Sequence, residues 1–265
     1  MDQTLEPMGT VVPPIPTVRS VAVDQGFTWL RRGWTDLRRA AVPSITFGAC
    51  VALFGVLLLL ASWRATYLAP ALLGGFLLVA PFVATVLYAL SRQIERGEAV
   101  DFHVALRSLR RNANSIALFG LVLVLALIFW ERASAIIFAL SYGGQVARVD
   151  TLASEVLFSG RYNTLLAAYF GLGGLLAAAV FTLGVVTAPL LLDRDVDVVT
   201  AVITSVKVCV RNPAAMLVWA ALIAALTLLG FATFMLGLVV IFPLIGHATW
   251  HAYRDLVATE ADRAA

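Results

Sequence analysis

Long uncharged apolar runs alternate along this chain with shorter segments in which arginine, aspartate and glutamate are mixed with apolar residues at helical spacing. Residues 42–63 carry no charge, and at 1.5 Å rise per residue a helix of that length covers the roughly 30 Å of bilayer hydrocarbon. A second run, 67–90, follows Arg64 so closely that the two are predicted to form a tight antiparallel hairpin, with Pro81 bending the returning helix. The third run, 114–132, ends at Glu131-Arg132, charges that could form an intramembrane pair but are better read at the far interface, with Trp130 as an aromatic belt residue. The fourth, 164–192, holds Gly171, Gly173, Gly174 and Gly184, small enough for close helix–helix approach, and Pro189 near its end. The last apolar run, from Pro213 to Gly246, is too long for one crossing, so a break near Gly230-Phe-Ala-Thr divides it into 213–230 and 232–252. The pattern predicts an all-α polytopic membrane protein of about six transmembrane helices, arranged as three hairpins.

The segments between the runs read as surface helices. From Val21 to Ala40, Phe27, Leu30, Trp34 and Leu37 recur at helical spacing while Arg31, Arg32, Arg38 and Arg39 supply charge, the mark of an interfacial amphipathic helix. Residues 91–112 pair Val100, Val104, Ala105 and Leu109 with eight charged side chains, and 193–212 repeats the type. Residues 133–163, containing Tyr142, Gly143 and Gly144, suit an interfacial or partly re-entrant helix outside the bilayer. Residues 1–20, with Pro7, Pro13, Pro14 and Pro16, are expected to be a disordered tail. Residues 21–257 form one membrane domain, and 258–265 a short second tail.

Composition narrows the class further. At 61% hydrophobic and 13% charged residues the chain lies far outside soluble globular composition. The basic pI near 9.1 does not point to nucleic acid, because the arginines flank apolar runs instead of interleaving with stacking aromatics. Of 19 lysines and arginines, about fifteen fall on the side of both termini and about four on the other, which predicts cytoplasmic termini. Cys50 and Cys209 match no metal or disulfide spacing and are expected to pack.

An internal repeat underlies the alternation. Gly75-Phe-Leu-Leu-Val-Ala-Pro81 and Gly237-Leu-Val-Val-Ile-Phe-Pro243 share one glycine-to-proline interval, and Arg92 and Arg254 each follow their proline at the same distance. Gly184 and Pro189 form a looser third version. Arg111-Asn112 and Arg211-Asn212 precede successive outgoing runs. Three copies of one unit are implied, each a surface helix followed by a hairpin kinked at Pro81, Pro189 or Pro243, related by an axis along the membrane normal. Three kinked helices can surround a cavity or simply pack.

Polar chemistry concentrates in one place, Phe242 to Arg254. His247 and His251 are one helical turn apart, roughly 6 Å at Cβ, a spacing able to ligate a metal. The third histidine, His103, lies on the same predicted side and is the candidate third ligand. The simpler expectation is that both imidazoles hydrogen-bond neighbouring helices or headgroups. Gly97-Glu98 and Asp193-Arg194-Asp195 precede amphipathic helices and suit helix starts better than acid–base catalysis. Arg31, Arg32, Arg38, Arg39, Arg92 and Arg254 are the candidate membrane-surface cations. No phosphate loop, dinucleotide fingerprint, nucleophile elbow or zinc-protease motif is present, so no catalytic residue is assigned and no cofactor is required.

Gly33-Trp34-x-Asp36-Leu37, Pro43-Ser44, Gly75-Phe76 through Pro81, Leu87-Tyr88-Ala89-x-Ser91-Arg92-x-x-Glu95-Arg96-Gly97-Glu98 and Gly246 through Asp255 together resemble an uncharacterised bacterial integral-membrane family, number twenty-one eighty-nine among the domains of unknown function. The resemblance runs from about Val21 to Val257. It implies a bacterial inner membrane and supplies no activity. Some members are labelled as related to cytochrome c oxidase subunit I, a haem–copper protein whose ligand set far exceeds the 3 histidines here. The reading that fits best is a non-enzymatic helical bundle engaging membrane lipids, a membrane-protein partner or a second copy of itself. A small-molecule or ion carrier, and a haem- or metal-handling protein associated with respiratory complexes, are the alternatives.

Overall fold

The computed structural model describes residues 15–61, 68–142, 160 and 162–258. Among them the regular structure is helical, apart from one isolated antiparallel bridge between Val18 and Val257. The helices are α1 (Gln25–Arg39), α2 (Ala41–Ala61), α3 (Leu68–Val83), α4 (Thr85–Glu95), α5 (Phe102–Ser108, extended by a 3₁₀ turn to Asn112), α6 (Ala113–Tyr142), α7 (Asn163–Gly184), α8 (Thr187–Asp193), α9 (Val198–Arg211), α10 (Pro213–Ala232) and α11 (Leu238–Leu256).

Their order repeats three times: a surface helix (α1, α5, α9), an outgoing apolar helix (α2, α6, α10) and a return (α3–α4, α7–α8, α11). The first two returns are interrupted, at Ala84 and at Val185–Val186, while α11 runs unbroken through Pro243. The junctions are built alike. Asp101 caps α5 by accepting from the His103 and Val104 amides, and Asp197 caps α9 by accepting from the Thr200 amide. Helix-start chemistry therefore rests on these two aspartates, not on Glu98, Asp193 or Asp195. Gly97, at φ +68°, ends α4 in the left-handed conformation that glycine adopts at least cost.

The Arg-Asn repeat has a structural job. Asn112 donates to the carbonyls of Leu191 and Val196, holding the link that enters α9. Asn212 donates to the Arg19 carbonyl and accepts from the Val21 amide, holding the link that enters α1. Each asparagine thus anchors the start of the next unit around a ring. The ring closes where Arg19 donates to Leu256 and Ala258 donates to Thr17. Residues 15–20 accordingly belong to the packed domain and not to the expected tail, and residues 1–14 lie outside the described residues.

Five segments among the described residues are long and apolar enough to cross a membrane: 41–60, 74–95, 102–140, 163–193 and 213–232. The expected sixth, 232–252, begins later, because Thr233–Gly237 form the turn. That turn is pinned by the Thr233 hydroxyl, which accepts from the Gly237 amide and donates to the Gly230 carbonyl. α11 falls short on composition because its second half carries His247, Thr249, His251, Arg254 and Asp255. Four of these, His247, His251, Arg254 and Asp255, are bonded to side chains of other helices.

The third apolar run also differs from expectation. α6 does not stop at Glu131-Arg132 but continues to Tyr142, and about 20 residues of it already cover the hydrocarbon. The Glu131–Arg132 ion pair, 2.7 Å long, sits partway along this helix. Trp130 is buried, edge-on to Tyr169 at 4.8 Å and against Gly74 and Gly173, instead of facing headgroups. Of the four glycines singled out in α7, Gly173 and Gly184 meet aromatic side chains, whereas Gly171 and Gly174 face open space. Gly143, Gly144 and the segment around them lie outside the described residues. Cys50 is exposed on α2 and Cys209 is half-buried on α9, both as free thiols.

Leu87 and Leu90 of α4, Leu190 and Leu191 of α8, and Trp250 and Tyr253 of α11 are fully buried members of one apolar cluster.

Candidate functional site

The densest polar structure joins four helices. α1 approaches α11 so closely that a Cβ on Gly33 would stand 2.6 Å from the Ala248 backbone nitrogen. That contact carries Asp36, one turn further along α1, down beside the second half of α11. Asp36 is 5% exposed and His247 0%.

Hydrogen atoms can be placed from the donors and acceptors alone. The Ser91 hydroxyl donates to Asp36 Oδ2 at 2.7 Å. Its single proton is then committed, so the 2.8 Å contact between Ser91 Oγ and His247 Nδ1 has the imidazole N–H donating. In the neutral ring Nε2 is the acceptor, and the Ser44 hydroxyl donates to it at 2.9 Å. His251 Nε2 donates to the same Oδ2 of Asp36, also at 2.8 Å. A continuous relay therefore runs Ser44, His247, Ser91, Asp36, His251, from the start of α2 through α11 and α4 to α1 and back to α11. Ser44 and Ser91 are as buried as His247. A relay in which every polar group has a partner is what a low-dielectric interior tolerates, and it specifies one arrangement of the helices.

A second anchor holds the first turns of α1. Asp255 accepts from Gln25 Nε2 at 2.8 Å, from Trp29 Nε1 at 2.9 Å and from Arg32 at 3.1 Å. Burial pushes the Asp255 carboxyl up, but the hydrogen bonds from Gln25 and Trp29 and the charge of Arg32 outweigh it and hold it below the usual aspartate range. Trp29 also packs edge-on against Trp219 of α10 at 5.4 Å. A third cluster ties α11 to α4 and α8. Glu95 accepts from Trp250 Nε1 and pairs with Arg254 at 2.8 Å, while Asp193 accepts from the Tyr253 hydroxyl and lies 3.5 Å from Arg254.

The candidate residues divide accordingly. His247 and His251 hydrogen-bond neighbouring helices, and both ring nitrogens of His247 are engaged. His103 is exposed on α5, edge-on to Phe102. Among the described residues no group of three histidine, cysteine, aspartate or glutamate side chains is arranged to hold a metal ion. Arg92, expected at the membrane surface, is 8% exposed and donates to the Leu192 carbonyl. Arg254 sits in the ion cluster and Arg32 on Asp255. Arg31, Arg38 and Arg39 are exposed. Asp36, Ser44 and Ser91 are not singled out by sequence spacing, although each falls within the motifs that carry the family resemblance. One aspartate in an arginine-rich helix, a serine in an apolar run (Ser44) and a serine at the edge of a charged segment (Ser91) carry no spacing signal of their own.

The face of α1 left exposed by the anchors carries the stripe Phe27, Arg31, Trp34 and Arg38, at spacings of four, three and four residues, with Arg32, Thr35 and Arg39 exposed beside them. Phe27 is 60% and Trp34 43% exposed. α9 presents Val199, Ile203, Lys207 and Val210, and α5 presents Val104, Leu106, Arg107 and Arg110. All three surface helices thus expose apolar and cationic side chains side by side, and each stands at the start of its unit.

One family model matches the chain, over residues 68–193, and is described as "Predicted integral membrane protein (DUF2189)". The match runs from α3 to α8. It includes Gly75 through Glu98 and leaves Gly33–Leu37, Ser44 and the α11 histidines outside. No curated protein and no solved structure matches.

Proposed function

With residues 68–193 matching the model of the DUF2189 family of predicted integral membrane proteins, we propose that this protein is a non-enzymatic helical bundle that engages the anionic face of its membrane through a collar of interfacial helices, α1, α5 and α9. The membrane is the bacterial inner membrane and both termini are cytoplasmic. What carries the reading is the exposed stripe of α1. Aromatic and apolar side chains beside arginines suit the headgroup boundary, where rings sit among the upper acyl carbons and guanidinium groups reach phosphates. A water-exposed helix has no use for Phe27 and Trp34 on its outer face, and one facing only acyl chains has none for Arg31 and Arg38. The basic bias of the terminus-bearing side supports the orientation, since anionic lipids give the cytoplasmic leaflet a negative surface potential. The buried relay then has a role: it fixes the rotation of α1, so that Asp36 points inward and the stripe outward.

The test is Trp34 depth. In reconstituted vesicles, the fluorescence lost on Trp34→Phe is the Trp34 contribution. Phospholipids brominated high on the acyl chain should quench it strongly, and aqueous iodide weakly. Quenching by iodide and not by bromolipid would place the stripe in water and end the proposal. Protease protection of tags at the two termini tests the orientation independently.

A further inference from the structure

Between the chain entering α1 and the outer side of α9 lies an open groove of about 440 Å³, within the size range of small-molecule sites. Ile15, Pro16, Thr17 and Val18 form one wall, and Val206, Lys207, Val210 and Arg211 the other. The lining is apolar except for one hydroxyl and two cations. We propose that this groove holds one anionic phospholipid, its phosphate bound by Lys207 and Arg211 and an acyl chain along Ile15, Val206 and Val210.

Three observations carry this. The first is charge complementarity: two cations one turn apart face the groove, and no carboxylate among the described residues pairs with Lys207. The second is preorganisation. Arg211 Nε donates to Ser20 Oγ at 3.0 Å, which fixes the guanidinium while leaving its terminal nitrogens free to turn toward an anion. The third is that the wall opposite α9 is held rigidly, by the Val18–Val257 bridge and by Asn212 on Arg19 and Val21. A free phosphate would satisfy the cations but leave Val210, 75% exposed, and Ile15 in water, so the apolar lining selects the lipid. The inference rests on the proposed collar in one respect, that α9 lies at headgroup depth.

The test is lipid retention by the full-length protein, delipidated in neutral detergent and titrated with dioleoyl-phosphatidylglycerol, dioleoyl-phosphatidylcholine or inorganic phosphate, with bound molecules counted by native mass spectrometry. One phosphatidylglycerol should be retained in preference to phosphatidylcholine, and equimolar phosphate should not displace it. Lys207→Gln should weaken retention roughly fivefold, the effect of one cation at an anionic headgroup, and Val210→Asn should weaken it further. Arg132→Gln, paired with Glu131 partway along α6 and outside both the collar and the groove, should leave it unchanged. Equal retention of both lipids, displacement by phosphate, or Lys207→Gln retention equal to wild type would each overturn the proposal. Trp34 depth is read separately, so a failed groove leaves the collar standing and a failed collar is seen without reference to Lys207.

Discussion

Asp36→Ala removes the acceptor at the centre of the relay. One oxygen, Oδ2, receives both the Ser91 hydroxyl and His251 Nε2, so the truncation strands two donors at once. An orphaned buried donor costs about 1–3 kcal/mol. Ser91 is fully buried and pays toward the upper end of that range, whereas His251 is half-buried and can turn toward solvent. Ser91 can also rotate its proton only by competing with the His247 N–H it now accepts, so the second link weakens too. The sum is a loss of about 3–5 kcal/mol, a large part of the roughly 5–15 kcal/mol by which domains of ordinary stability are held folded. Asp36→Asn is the discriminating control. Because both donors converge on one oxygen, an amide carbonyl placed there keeps both hydrogen bonds and loses only the charge, for about 1 kcal/mol. The assay is reversible unfolding in mixed micelles at rising mole fraction of denaturing detergent, followed by tryptophan emission. Trp29, buried and bonded to Asp255, reports directly on whether α1 stays docked. Asp36→Ala within 0.5 kcal/mol of wild type, or Asn as damaging as Ala, would refute the hydrogen-bond assignment.

Gly33→Ala should cost about 2–3 kcal/mol, because its Cβ would press on Ala248 backbone that cannot yield without separating α1 from α11. Gly174→Ala, where the added methyl meets nothing, should be neutral or stabilising by up to about 1 kcal/mol, and thermal unfolding of the pair distinguishes packing from propensity. Asn212→Ala should release the link entering α1, read as faster proteolysis near Arg19 with a stability loss of about 1–3 kcal/mol, while Asn212→Asp should restore the contact with the Val21 amide alone. Acid should loosen the first turns of α1 through Asp255: its carboxyl is held below the unfolded value, so its stabilisation is present above the ordinary aspartate pKa near 4 and is lost as pH falls through the lower folded value. Trp29 emission should therefore shift in that acid range in wild type and be already shifted, without pH dependence there, in Asp255→Asn.

Much was legible in the order of residues, for a physical reason. Hydrocarbon accepts only structures whose backbone is satisfied internally, so runs of about twenty uncharged apolar residues declare helices. The break near Gly230, the amphipathic character of 21–40 and the unit of surface helix, outgoing helix and return all follow from that constraint. The repeated Arg-Asn pair was visible as a pattern, but its job required knowing which carbonyls lay within reach of Asn112 and Asn212. His247 and His251 stood out because imidazoles are rare in apolar sequence. Their partners did not: Asp36, Ser44 and Ser91 come from three other helices, up to 215 positions away. Only the packing of α1 against α11 at Gly33 decided that an aspartate in an arginine-rich surface helix would turn inward and become the acceptor of the relay. The same packing decided that Arg92 would be spent on a carbonyl inside the bundle while Arg31 and Arg38 stayed outside. Composition acts along the chain and settles where helices form; which polar group meets which is settled by close approach between distant helices, and no local spacing encodes it.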